Sequence, residues 1–104
     1  MLTHCVFFWL KDGINPQETS AFEKGLASLT AISGVLHGTF GVPASTDRPV
    51  IDRSYSYGLM VQFKDLAAHD AYQVDPLHEE FLENCSHLWV RVQVYDFVAP
   101  GSPA

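Results

Sequence analysis

Residues 3–11 alternate between two faces, His4/Val6/Phe8/Leu10 and Cys5/Phe7/Trp9, and both faces are apolar. Dense in β-branched and aromatic residues, the segment reads as a strand. An antiparallel sheet ordinarily leaves one face polar for water, so this strand is expected to be covered on both sides. The period then changes. Asn15 is a capping residue, Pro16 suits a first helical position, and Glu18 stands where a capping-box partner belongs. Phe22, Leu26 and Leu29 follow at helical spacing as one apolar stripe. Ser33-Gly34 closes this helix, residues 35–42 return to strand, and Pro43 stops them.

Residues 43–53 hold two prolines and no period, and read as a loop. Residues 54–63 form a third strand, with Tyr55/Tyr57/Leu59/Val61/Phe63 opposite Ser56/Gly58/Met60/Gln62. Asp65 caps a helix over residues 65–73. The helix breaks near Val74, and Asp75-Pro76 restarts it to about Cys85 with Leu77, Phe81 and Leu82 inward. Residues 88–98 are the last strand, Leu88/Val90/Val92/Val94 against Trp89/Arg91/Gln93/Tyr95. The order βαββαβ is the split-βαβ, ferredoxin-like pattern of an α+β domain, a four-stranded antiparallel sheet with its helices on one face. The opposite face is then bare. A second copy is its expected cover, the two sheets pairing in a dimeric α/β barrel. Residues 1–98 make the single domain, and the coil composition of residues 99–104 reads as a flexible tail.

Composition strengthens the dimer expectation. Hydrophobic residues are 47% of the 104 and charged residues 17%, low for a chain that buries only roughly 65% of its unfolded surface. Apolar surface should remain for a partner. Twelve acidic against six scattered basic residues give a charge of −6, with no basic face for nucleic acid. The longest apolar run, residues 5–10, is far short of the ~20 residues that span a bilayer. No charged leader with a long apolar stretch follows the start, so membrane partners are not expected and a cytoplasmic location is. Cys5 and Cys85 form neither a disulfide framework nor a zinc motif, and read as reduced thiols. No nucleophile elbow or glycine-rich phosphate loop is present, so no cofactor is expected.

Candidate chemistry centres on His78. With Asp75 as cap and Pro76 first in the helix, His78 lies in the first turn, where the helix dipole disfavours imidazolium. A neutral imidazole is what a general base needs. Adjacent Glu79 and Glu80 push the other way. Tyr72 precedes His78 across the break, which lets both turn toward one cavity, the phenol serving as oxyanion donor. The alternative is a solvated first-turn histidine and a tyrosine that simply packs. His4 reads as a core or rim histidine. His37, His69 and His87 share no spacing and no metal-binding pair exists, so no metal site is expected.

Several segments together resemble the stress-responsive A/B barrel domain family: His4-Cys5-Val6-Phe7-Phe8-Trp9-Leu10-Lys11-Asp12, Tyr55-Ser56-Tyr57, Tyr72-Gln73-Val74-Asp75-Pro76-Leu77-His78 and Tyr95-Asp96-Phe97. The resemblance implies a dimeric barrel with a pocket between sheet and helices, in a family whose members mostly lack an assigned reaction. A plant polyketide cyclase of this kind closes a linear polyketide thioester by an intramolecular aldol step, without metal or organic cofactor. Its catalytic His and Tyr match His78 and Tyr72, and its other pocket histidines fall at His4 and at Tyr57, where this chain departs. Three functions follow as expectations. One is a homodimeric barrel of unassigned activity binding a small apolar ligand, and another a cyclase-like enzyme acting on an aromatic or polyketide carbonyl compound. A third, by fold analogy, is a cofactor-independent monooxygenase. In an enzyme His78 is the base and Tyr72 the donor, with His4, Tyr57, Phe8 and Phe22 lining the substrate pocket.

Overall fold

The computed structural model describes the chain from Met1 to Ala104. Its order is β1 (Leu2–Leu10), α1 (Pro16–Thr30), β2 (Val35–Gly41), β3 (Tyr57–Phe63), α2 (Leu66–Gln73), α3 (Pro76–Cys85), a 3₁₀ turn (Ser86–Leu88) and β4 (Trp89–Val98). The strands form one sheet in the order β2-β3-β1-β4, every neighbouring pair antiparallel. This is the ferredoxin-like fold.

Local chemistry accounts for the helix boundaries. Asn15 accepts from the Glu18 backbone N–H at 2.8 Å, and the Glu18 carboxylate accepts from the Asn15 N–H at 3.0 Å, the reciprocal capping box. Asp65 caps α2 through the Ala68 N–H at 2.9 Å, and Asp75 caps α3 through the Leu77 N–H at 2.9 Å. Two helices therefore replace one, with exposed Val74 between them.

The core lies between the sheet and the helices. Phe22, Leu26 and Leu29 of α1 are fully buried against Val61 and Phe63 of β3. Phe22 is the hub of an aromatic cluster, its ring centroid 5.3 Å from Phe8, 5.2 Å from Tyr57 and 5.8 Å from Phe81. Gly25 lets α3 come close to α1: a Cβ there would lie 2.8 Å from the Phe81 ring. Fully burying each large apolar side chain contributes about 1.5–3 kcal/mol.

Three expectations change. Leu77 and Leu82 are exposed, and Phe81 and Cys85 take the inner side of α3. The third strand starts at Tyr57 instead of residue 54. Ser54 and Ser56 are instead tied to β1, Ser54 Oγ accepting from Trp9 Nε1 at 3.0 Å and Ser56 Oγ from the Leu10 N–H at 2.9 Å. Trp89 does not share a face with Arg91, Gln93 and Tyr95. A register shift between Trp9 and Leu10 turns it inward, where its ring stacks on Phe81 at 5.8 Å and Val90 is left exposed.

No helix covers the other sheet face. Phe7 contacts Tyr55 and Tyr95, with centroids 4.9 and 6.3 Å away, and Tyr95 and Phe97 are each 59% exposed. The protomer is a slab of 42 × 38 × 19 Å, thin along one axis as a sheet with a single helical layer must be. Beyond β4, the Ala99 carbonyl accepts from the Ser102 N–H at 3.0 Å in a turn that uses Gly101 at φ +85°. No helix is long and apolar enough to cross a membrane.

Candidate functional site

A cavity of about 170 Å³ opens between the helix-facing side of the sheet and α3. Strand alternation supplies one wall, since His4, Val6 and Phe8 all point the same way along β1. Val92 and Val94 of β4, which pair with Phe8 and Val6, extend that wall. Tyr72 and Gln73 close the end of α2, and His78, Phe81 and Leu82 come from α3. Ten of the thirteen lining residues are hydrophobic, so the few polar groups decide what the cavity can recognise.

Tyr72 and His78 meet there edge to face, with ring centroids 5.1 Å apart and planes at 73°. The helix break makes this possible: Tyr72 ends one helix and His78 begins the next. Burial pushes the His78 imidazole below its ordinary value of 6.5. The Glu79 carboxylate opposes that and His4 adds to it. Burial alone pushes the Tyr72 phenol well above its ordinary 10.0. Near neutral pH the pair is therefore a neutral imidazole beside a protonated phenol. His78 Nδ1 and Gln73 Oε1 are buried with no partner in the protein.

His4 and Phe8 also line the cavity, so four of the six residues singled out in the sequence converge. Tyr57 and Phe22 do not. Tyr57 donates its hydroxyl to Glu23 Oε2 at 2.5 Å, and burial together with that carboxylate pushes its phenol up to about 12. Phe22 is consumed by the core cluster.

A second polar group adjoins the cavity at His4. Its Nδ1 lies 2.5 Å from Asp96 Oδ1, placed directly opposite by the β1–β4 register. Burial lowers the His4 imidazole's affinity for a proton, and the Asp96 hydrogen bond opposes it. His69 of α2 joins this pair, its ring centroid 5.2 Å from that of His4 and its Nε2 3.9 Å from Asp96 Oδ2. Spacing along the chain hides this group, because its members come from β1, α2 and β4. The strand order, which pairs the first strand with the last, is the one sequence-level signal that could have found it.

The sequence matches the Stress responsive A/B Barrel Domain, Dabb, over residues 2–99. The chain belongs to the Dabb family. A Dabb protein with a ferredoxin-like fold from Mesorhizobium loti is similar at 29% identity and TM-score 0.78, with 96% of this chain and 97% of that one covered. A protein from Arabidopsis thaliana superposes with TM-score 0.79 at 24% identity, over 100% and 99% of the two chains. A hydroxynitrile lyase from Passiflora edulis shares the fold at 15% identity, with TM-score 0.77 and coverage of 99% and 96%. No curated protein matches the sequence. Structures of chains with the same ferredoxin-like fold from Thermobifida fusca and Bacteroides fragilis are described as dimeric proteins of unknown function.

Proposed function

We propose that this Dabb chain works as a homodimer whose protomers each bind a small, largely apolar carbonyl compound, and that His78 and Tyr72 perform cofactor-free proton transfer on it. One observation carries the reading: the edge-to-face Tyr72–His78 pair sits on the wall of a largely apolar cavity, with His78 Nδ1 unpartnered. Buried polar groups are normally satisfied, and a ligand oxygen or hydroxyl would satisfy this one.

The chemistry follows from the two protonation states. His78 removes a proton from carbon beside a carbonyl, while the Tyr72 hydroxyl donates to the carbonyl oxygen as negative charge develops on it. The enolate then attacks a second carbonyl of the same molecule. The new carbon–carbon bond leaves an alkoxide, which takes back the proton from the imidazolium. Run in the other sense, the pair takes a hydroxyl proton and lets a carbon–carbon bond break. The hydroxynitrile lyase among the structural neighbours gives that sense a precedent on this fold, at the level of analogy.

The dimer rests on the uncovered face. Phe7 and Tyr95 meet edge to face there and Tyr95 and Phe97 are exposed, an apolar surface that a second copy would bury sheet against sheet. Neighbours of the same fold are described as dimeric.

Native mass spectrometry of gently purified protein should give a dimer. Acetophenone, used as a probe, should shift the NMR signals of Tyr72 and His78 and leave those of Phe97 in place. On a linear poly-β-keto thioester, His78→Ala should cost roughly 10²-fold in turnover, and Tyr72→Phe roughly 10²–10³-fold. A monomer at micromolar concentration, probe shifts outside the cavity, or turnover unchanged by both substitutions would each defeat the corresponding part of the proposal.

A further inference from the structure

We propose that His4, His69 and Asp96 form a binding site for a divalent transition-metal cation of the zinc class, at the rim of the cavity. Their ligand atoms all lie within 4.8 Å of one another, and the elements that carry them are packed in place. The antiparallel register sets His4 opposite Asp96, and α2 lays the His69 ring against His4 and the buried Phe63.

The state of His69 points to a cation. Its Nδ1 lies 3.0 Å from Asp70 Oδ1. An ionised carboxylate only accepts, so a proton sits on Nδ1, and in the neutral ring Nε2 then presents a lone pair. That Nε2 is buried, has no hydrogen-bond partner, and lies 3.9 Å from Asp96 Oδ2. Lone pair and carboxylate oxygen repel unless something positive joins them. Asp70, His69 and the shared centre thus reproduce the carboxylate–histidine–metal relay, in which an outer carboxylate fixes the ligating tautomer.

Two imidazoles and one carboxylate suit first-row divalent ions, and three protein ligands leave a fourth position for water, as catalytic zinc sites do. Binding displaces the proton that lies between His4 Nδ1 and Asp96 Oδ1, and in the neutral ring that proton moves to Nε2 and leaves Nδ1 free to ligate. The ligands must draw in until each reaches about 2.0–2.2 Å from the ion. Asp96, with 41% of its side chain exposed, has room to rotate and gives the ion its way in. His4 belongs to both the cation site and the cavity wall, so occupancy would couple the two.

Chelator-treated full-length protein, titrated with Zn²⁺ in a calorimeter, should bind one ion per protomer. Co²⁺ should give the intense visible bands of a tetrahedral site. His69→Phe, which keeps a ring against Phe63, should abolish both signals, and Asp96→Asn should do the same by an independent route. Asp70→Ala, altering only the outer partner, should weaken Zn²⁺ affinity roughly 10–100-fold. Exposed His37 is a control whose replacement by Ala should change nothing. Octahedral Co²⁺ alone, or Zn²⁺ bound as tightly by folded His69→Phe or Asp96→Asn as by the parent, would overturn the site. The cluster would then be a hydrogen-bonded network that holds no ion. These readouts are independent of ligand binding or turnover in the cavity.

Discussion

The two faces of β1 differ by one residue in phase and by almost everything in environment. Leu2, His4, Val6 and Phe8 are each 3–7% exposed under the helices, while Thr3, Cys5, Phe7 and Trp9 stay half-buried on the other side. Side-chain chemistry does not explain the contrast, since Phe7 and Phe8 are the same residue. The covered face satisfies its burial inside one chain. The bare face has the composition for burial without the means, and the fold supplies nothing further to cover it. Apolar pattern therefore reports which positions are to be buried, and topology decides whether the chain itself can do it.

The sharpest way to break the contrast is at the hub of the covered face. Phe22→Ala should cost about 3–5 kcal/mol, read as a lowered urea midpoint, because the fully buried ring leaves a cavity among Phe8, Tyr57 and Phe81. On the bare face Phe97→Asp should leave the protomer folded and weaken the dimer by about 2 kcal/mol or more, roughly thirtyfold in dissociation constant by sedimentation. Neighbours in β3 give a matched pair. Val61→Ala should lower protomer stability by about 2 kcal/mol, whereas Met60→Ala should register mainly in dimer dissociation. Equal effects of the two on a monomeric form would erase the distinction between the faces.

The smallest effect is a pH dependence confined to the covered side. The folded chain holds His78 below its ordinary 6.5, so between that value and the folded one the unfolded chain binds more protons. The stabilisation is full above pH 6.5 and is lost as pH falls toward the folded value. His78→Asn should make that acid limb of the urea midpoint shallower, with His4, lowered in the same direction, supplying what remains. An unchanged limb would contradict the burial assigned to the His78 ring.

Much of this was legible in the chain. The capping box at Asn15 and Glu18, the α1 stripe and the break at Val74 are local signals, and each resides in a few consecutive residues. The two apolar faces of β1 were equally plain. What escaped depends on pairing between distant segments. Trp89 turns inward because of an irregularity where β1 meets β4, and no alternation within β4 reveals it. Cys85 takes an inner place on α3 because Gly25 opens room across from it, 3.1 Å from where a Cβ would stand. His69 gains chemical meaning only once His4 and Asp96 face each other across two strands. The resemblance implies a lining place for Tyr57, yet its hydroxyl turns to Glu23 of α1, and Phe22, also expected in the lining, is taken up by the core.

Gly25 also has a mechanical consequence. It acts as a missing shim, whose absence lets α3 settle onto α1 at the Phe81 ring. His78 rides on α3, while Tyr72 is anchored in the core at 1% exposure on the far side of the joint at Val74. A methyl group at residue 25 would lift the platform that carries the imidazole and leave the phenol where it stands. The reach between donor and base is thus gauged by one hydrogen atom on a third helix, which carries neither of them.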